Sequence, residues 1–83
     1  MGSEEVLQAV REICAEILGM SPSAVTPTAL LRDELGADSL DFAEMVMALE
    51  DRTGVSIPEE KFKDVNCAED VVGLVLRTVS AAS

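Results

Sequence analysis

A functional interpretation of this sequence depends on Ser39. This serine lies between Asp38 and Asp41, shortly after Gly36, at the predicted start of a helix. A hydroxyl in that place is open to a modifying enzyme, and a phosphodiester attached to it would lie at the positive end of the helix dipole. The same residue types also cap helices, so Asp-Ser-Leu taken alone favours a cap.

Most other catalytic chemistry is excluded by composition. The 83 residues include no histidine, so neither a Ser-His-Asp nor a Cys-His site can form, and neither GxxxxGK[ST] nor GxGxxG occurs. Cys14 and Cys67 lie far apart without the spacing of a zinc site, although a disulfide between them stays open. Cys14 is predicted to be a buried, inert thiol because it lies on an apolar helical face. We therefore predict a protein that is not an enzyme.

The charge of the chain indicates what kind of partner it has. Sixteen acidic and six basic residues give a formal net charge of −10. Nucleic acid and anionic membranes would repel such a chain, so we expect neither as a partner and predict basic protein surfaces instead. The acidic N-terminus and the lack of a long uncharged apolar run predict no signal peptide and no stable membrane association. We expect a cytoplasmic monomer.

Apolar residues recur at helical spacing in three long segments. The first is predicted to begin with Ser3 as its cap, and the second to span residues 39–53. A short helix is expected at residues 58–64. A last, valine-rich helix is expected after a cap formed by Asn66 or Cys67.

The predicted fold class is all-α: a small four-helix bundle with three main helices and one short helix. The connection at residues 20–38 carries two prolines and is too long to lie unpacked in a small domain. We expect a helical turn at 29–35 and four apolar residues that pin the connection to the core: Val25, Leu30, Leu31 and Leu35. One domain is predicted over residues 1–83, of which 1–3 could be a cloning remnant and 80–83 a frayed tail.

The second helix is predicted to have an outward apolar stripe as well as a buried one. At about 3.6 residues per turn, one face collects Phe42, Met45, Val46, Leu49 and Thr53. A different face collects Leu40, Glu44, Met47 and Asp51, flanked by Asp41, Ala43 and Glu50. Apolar side chains ringed by carboxylates are typical of a protein interface, so this face is a candidate docking surface.

Three segments in this order resemble a known family: 35–41 (LGADSLD), 46–51 (VMALED) and 57–60 (IPEE). With the surrounding helices, the chain resembles an acyl carrier protein over nearly its whole length. The resemblance implies a four-helix bundle in which Ser39 carries 4′-phosphopantetheine, transferred from coenzyme A by a separate Mg²⁺-dependent phosphopantetheinyl transferase. The thiol of that arm would hold acyl intermediates as thioesters for enzymes of fatty acid or polyketide synthesis.

The resemblance also implies a docking surface for acyltransferases, ketosynthases and other enzymes with basic surfaces. The matching positions are Asp38, Leu40, Asp41, Glu44, Met47, Glu50 and Asp51. In this family the bundle interior can shelter an acyl chain. Three departures from the family pattern bear on which chain is carried: Thr53 replaces a larger apolar residue, Phe42 is bulky, and Asn66-Cys67 replaces a threonine pair.

Two alternatives to an acyl carrier stay open. An aminoacyl or peptidyl carrier would use the same serine, although the acidic second helix and Asp41 favour an acyl carrier. An unmodified helical interaction module would have kept the bundle without the cofactor. The retained Asp-Ser-Leu and the acidic outward stripe argue against that module.

Overall fold

Four α-helices make up most of the described backbone. The computed structural model describes residues 2–82, apart from the side chains of residues 59 and 80–82. Within this range the helices are α1 (Ser3–Leu18), α2 (Ser39–Thr53), α3 (Glu59–Phe62) and α4 (Ala68–Ala82), with a 3₁₀ turn at Pro22–Ala24. The predicted all-α bundle of three main helices and one short helix is confirmed.

The helix α1 forms because apolar residues recur every three or four positions and give it one buried face. That face consists of Val6, Ala9, Val10, Ile13, Cys14 and Ala15. The residue before the helix is Gly2, whose carbonyl accepts the N–H of Val6 at 3.1 Å, and Ser3 is the first helical residue. The prediction that Ser3 caps α1 is therefore wrong. The helix ends at Gly19, whose φ of 70° is left-handed.

The connection between α1 and α2 is fastened to the start of α4 by backbone hydrogen bonds. The N–H of Leu31 donates to the carbonyl of Asn66 at 2.8 Å, and the N–H of Glu69 donates to that of Pro27 at 2.9 Å. These bonds explain how 20 residues without a long helix stay ordered in a small domain.

Apolar residues pin this connection to the core largely as predicted. Val25 and Leu31 are fully buried and Leu35 is half-buried, but Leu30 is exposed. Leu30 pairs with Cys67 through an isolated backbone bridge, so its backbone rather than its side chain holds this point. The expected helical turn lies here, since the N–H of Glu34 donates to the Leu30 carbonyl at 2.9 Å.

The last two helices differ from the prediction mainly at their ends. Pro58 precedes α3, which is shorter than the predicted 58–64, and Phe62 and Val65 are buried. The buried face of α4 contains three valines, which agrees with the predicted valine-rich helix, and also Leu74: Val71, Val72, Leu74 and Val75 are buried.

The start of α4 is stabilised by a side chain inside the helix. The Asp70 carboxylate accepts the N–H of Asn66 at 2.9 Å and that of Cys67 at 3.4 Å. These hydrogen bonds hold the pKa of Asp70 below its ordinary value. At the other end, α4 continues to Ala82; fraying of residues 80–83 stays a prediction, and Met1 and Ser83 lie outside the described residues. No helix within residues 2–82 is long and apolar enough to cross a membrane.

Candidate functional site

The first turn of α2 is held by a reciprocal pair of carboxylates. One oxygen of Asp38 accepts the N–H of Asp41 at 2.9 Å, and one oxygen of Asp41 accepts the N–H of Asp38 at 3.0 Å. This is a capping box in which Asp38 is the cap. Ser39 is the first residue of the helix and is not needed to cap it.

The hydroxyl of Ser39 is presented to solvent on an anchored backbone. Ser39 is exposed, and its side chain makes no hydrogen bond to any residue in the part of the chain that the structure describes. The chain reaches it through Gly36, with a left-handed φ of 78°, and through buried Ala37, whose N–H donates to the Leu31 carbonyl at 2.8 Å. The hydroxyl is therefore free to react, and its position at the N-terminal end of α2 favours an attached negative charge.

A pocket of about 160 Å³ begins at this serine. On α2 it is lined by residues spaced so that they share one face of the helix: Ser39, Phe42, Ala43 and Val46. Arg32 from the connection completes the lining, together with Phe62 of α3 and Lys63 just after that helix. The serine and the two basic residues are exposed, whereas the aromatic residues and the valine are buried, so the pocket runs inward from Ser39.

Two aromatic rings form the inner wall of this pocket. The ring centroids of Phe42 and Phe62 lie 5.8 Å apart at an interplanar angle of 71°, an edge-to-face contact between α2 and α3. The guanidinium carbon of Arg32 lies 4.6 Å from the centroid of Phe42, within range of a cation–π interaction.

The predicted outward stripe of α2 is exposed in the structure. Leu40 is 67% exposed and Met47 is 66% exposed, and Glu44 and Asp51 lie exposed on the same helix. Large apolar side chains exposed to this degree beside carboxylates form a surface suited to a protein partner.

The remaining acids of the predicted docking surface also stabilise the fold. Asp38 and Asp41 each use one oxygen in the capping box. Glu50 is half-buried, and its carboxylate accepts the N–H of Ile57 at 2.8 Å, which ties the loop after α2 to the helix. Sequence reasoning missed this bond because nothing in the local pattern indicates how the loop after Gly54 folds back.

The two cysteines lie apart from this site. Cys14 is buried, and its sulfur lies 3.8 Å from that of Met45. Burial raises the pKa of the Cys14 thiol to about 11, which keeps it protonated at neutral pH. The prediction of a buried Cys14 is confirmed; both cysteines are free thiols.

Comparison with known proteins decides the family. Residues 8–75 match the family described as "Phosphopantetheine attachment site". The chain is 42% identical over 81 residues to an acyl carrier protein of Rubrobacter xylanophilus and 38% identical over 81 residues to one of Thermosynechococcus vestitus. Each alignment covers 98% of this chain and 100% of the relative. The chain belongs to the acyl carrier protein family.

As a member of this family, the chain is a non-catalytic carrier with a phosphopantetheine attachment site. Membership implies two kinds of partner, a phosphopantetheinyl transferase and enzymes of a biosynthetic pathway. The residues around Ser39 fit the group, because they offer a free hydroxyl at a helix N-terminus and a pocket with two cationic side chains at its rim, Arg32 and Lys63.

Sequence reasoning missed the pocket that Ser39 lines. The spacing of Ser39, Phe42, Ala43 and Val46 could have indicated a pocket face, since these residues share one side of a helix. No local signal pointed to Arg32, which lies in the connection, or to Lys63, which follows α3. Only the packing of these segments against α2 brings both cations to the pocket that Ser39 also lines.

Proposed function

We propose that Ser39 is the residue to which 4′-phosphopantetheine is attached. The observation that carries the proposal is the division of roles at the start of α2: Asp38 caps the helix, so the hydroxyl of Ser39 is left exposed and unbonded. Of the two explanations for this serine, cap or attachment site, the first is thereby removed.

The electrostatic surroundings of Ser39 support the same proposal. A phosphodiester on this oxygen lies at the positive end of the α2 dipole, and Arg32 and Lys63 line the adjoining pocket. These two cations matter in a chain with a net charge of −10, because the acids of α2 would otherwise repel the phosphate.

When bound, the arm supplies a thiol that holds an acyl group as a thioester. We propose that the carrier delivers such acyl intermediates to enzymes of fatty acid or polyketide synthesis in the cytoplasm. Acyltransferases, ketosynthases and the phosphopantetheinyl transferase would dock on the outward side of α2, formed by Asp38, Leu40, Asp41, Glu44, Met47, Glu50 and Asp51. The exposed apolar pair Leu40 and Met47, set among these acids, supports such docking.

Intact mass measurement tests the attachment site. Incubation of the apo-protein with coenzyme A, Mg²⁺ and a phosphopantetheinyl transferase of broad specificity should add the mass of one phosphopantetheine group. Ser39→Ala should add none, whereas Ser56→Ala, which changes an exposed serine elsewhere, should be modified like the wild type. An unchanged wild-type mass, or modification that survives Ser39→Ala, would refute the assignment.

A further inference from the structure

The guanidinium of Arg32 lies over an aromatic ring in a chain that is rich in carboxylates. Its central carbon is 4.6 Å from the centroid of the Phe42 ring, although the chain has sixteen acidic residues and only six basic ones. Among the side chains that the structure describes, Arg11 and Arg52 donate hydrogen bonds and Arg32 donates none. A guanidinium can contact a ring with its face and still donate from its edge, because its five N–H groups lie in one plane. Arg32 is therefore held in place with its donors open to a ligand.

Ser39 is a neighbour of that ring on the same helix. Ser39 and Phe42 are three positions apart in α2, a spacing that places Cβ atoms about 5–6 Å from each other. Both residues line the pocket of about 160 Å³, and Arg32 and Lys63 line it too. Arg32 comes from the connection before α2, and Lys63 comes from the segment after α3. A group attached to the serine oxygen therefore adjoins a small pocket whose lining includes a cation from each of two segments.

The acids of α2 lie on its other sides. At about 3.6 residues per turn, Asp41 and Glu44 point away from the side of the helix that faces the pocket. The residues of α2 that line the pocket include no acid: Ser39, Phe42, Ala43 and Val46. A negative charge attached to Ser39 is therefore repelled from the acidic sides of α2 and attracted to the side of the pocket.

We propose that Arg32 and Lys63 bind the phosphodiester of the arm and that Phe42 positions Arg32 for this contact. An arginine can donate two parallel N–H bonds to a phosphate, and a lysine supplies a point charge. With the phosphodiester bound in this way, the first part of the arm lies on the pocket side of Ser39 and not along the outward stripe of α2. This inference rests on the proposed attachment at Ser39, and it names the residues that hold the attached group.

Phosphorus NMR of the holo-protein tests the contact. A phosphodiester that the protein holds tumbles with it and relaxes quickly, whereas one that moves freely relaxes slowly. Arg32→Gln and Lys63→Gln should each slow the transverse relaxation of the phosphorus, and added salt should slow it in the wild type. Arg32→Lys keeps the charge without the planar fork, so it should restore only part of the loss.

Two matched controls separate this contact from the net charge of the chain. Arg77→Gln and Lys61→Gln remove the same charges at exposed positions outside the lining of the pocket, and neither should alter the relaxation. In isotope-labelled protein, attachment should also shift the Nε–H resonance of Arg32 and leave that of Arg77 unchanged.

The positioning role of Phe42 is tested by removing its ring. Phe42→Leu keeps an apolar side chain in the lining and should slow the relaxation of the phosphorus as Arg32→Gln does. The double variant Phe42→Leu/Arg32→Gln should show no further loss, because Phe42 acts through Arg32. Leu49→Val is the control, since it trims a buried side chain of α2 outside the pocket lining and should leave the relaxation unchanged. Losses that add in the double variant would overturn the positioning role.

The intact mass of every holo sample is measured before NMR. A wild type that takes up no phosphopantetheine refutes the attachment at Ser39, and this inference with it. A modified protein whose phosphorus relaxes alike in wild type and Arg32→Gln refutes the contact alone. The same holds if the Arg32 resonance does not shift on attachment, or if Arg77→Gln slows the relaxation as much as Arg32→Gln.

Discussion

At the start of α2, Asp38 caps the helix and the neighbouring Ser39 does not. Asp38 satisfies the N–H of Asp41, and Asp41 returns a bond to the N–H of Asp38, so the end of the helix is stabilised without Ser39. If the hydroxyl of Ser39 capped the helix, modification of that hydroxyl would break its capping hydrogen bond to the backbone. Because Asp38 is the cap, modification of the Ser39 hydroxyl would leave the hydrogen bonds at the start of the helix intact.

This division predicts that two adjacent substitutions differ in their effect on stability. Asp38→Ala should lower the free energy of unfolding by about 1 kcal/mol, because it removes the cap. Ser39→Ala should change it by less than about 0.5 kcal/mol, as is usual for an exposed residue without such a role. Urea unfolding of the apo-protein measures both. Asp38→Asn, which keeps a capping oxygen, should restore most of the loss; equal losses in Asp38→Ala and Ser39→Ala would show that the serine shares the cap.

The helix α2 presents three faces with different surroundings. One face packs in the core through Met45 and Leu49, a second lines the pocket through Ser39 and Phe42, and a third exposes Leu40 and Met47, 67% and 66% exposed, respectively. A helix has room for these faces because residues three and four apart lie together. The serine lies where the pocket face meets the helix end, so a single helix carries the serine, a pocket face and an exposed apolar face.

The proposed docking through the third face predicts a kinetic effect. Glu44→Gln should lower kcat/KM of a partner enzyme for the loaded carrier by about two- to fivefold with little change in kcat, because a charge at the edge of an interface acts mainly on association. The difference should shrink as salt is added. Glu69→Gln on α4 removes the same charge elsewhere and serves as the control. Equal effects of the two substitutions would point to net charge and not to docking on α2.

The molecule as a whole is held by a thin aliphatic core and by backbone bonds between its irregular segments. Phe42 and Phe62 are its only aromatic residues, and both are buried core residues that also line the pocket. Cys14 of α1 and Met45 of α2 meet in the interior with sulfur atoms 3.8 Å apart. The connection from α1 to α2 depends on hydrogen bonds to the start of α4, so distant parts of the chain are ordered together.

The buried thiol predicts loss of stability in alkaline solution. The pKa of Cys14 is raised by burial from about 9 to about 11, so the folded state resists ionisation that the unfolded state allows. This contribution is fully present below pH 9 and is lost as the pH rises from 9 to 11, by up to about 2–3 kcal/mol. Urea unfolding of wild type and Cys14→Ala across this range measures it. The free energies of unfolding of the two proteins should converge as the pH rises. A constant difference between them from pH 9 to pH 11 would contradict the prediction.

The sequence by itself determined the helices, the family resemblance and the choice of Ser39. Helical periodicity and glycine stops are local, as Gly19 and Gly54 illustrate, and the segment 35–41 is contiguous, so all of them can be read without knowing which parts of the chain meet. The exposed stripe of α2 followed from spacing alone.

The tertiary structure decided which residues share a contact. In the structure Asp38 caps α2, Leu30 is exposed, and the carboxylate of Glu50 accepts the N–H of Ile57. It also brought Arg32 and Phe62 to the pocket beside the serine. These outcomes depend on hydrogen bonds and packing between segments that are separate in the sequence, and local pattern carries no information about the distances between such segments.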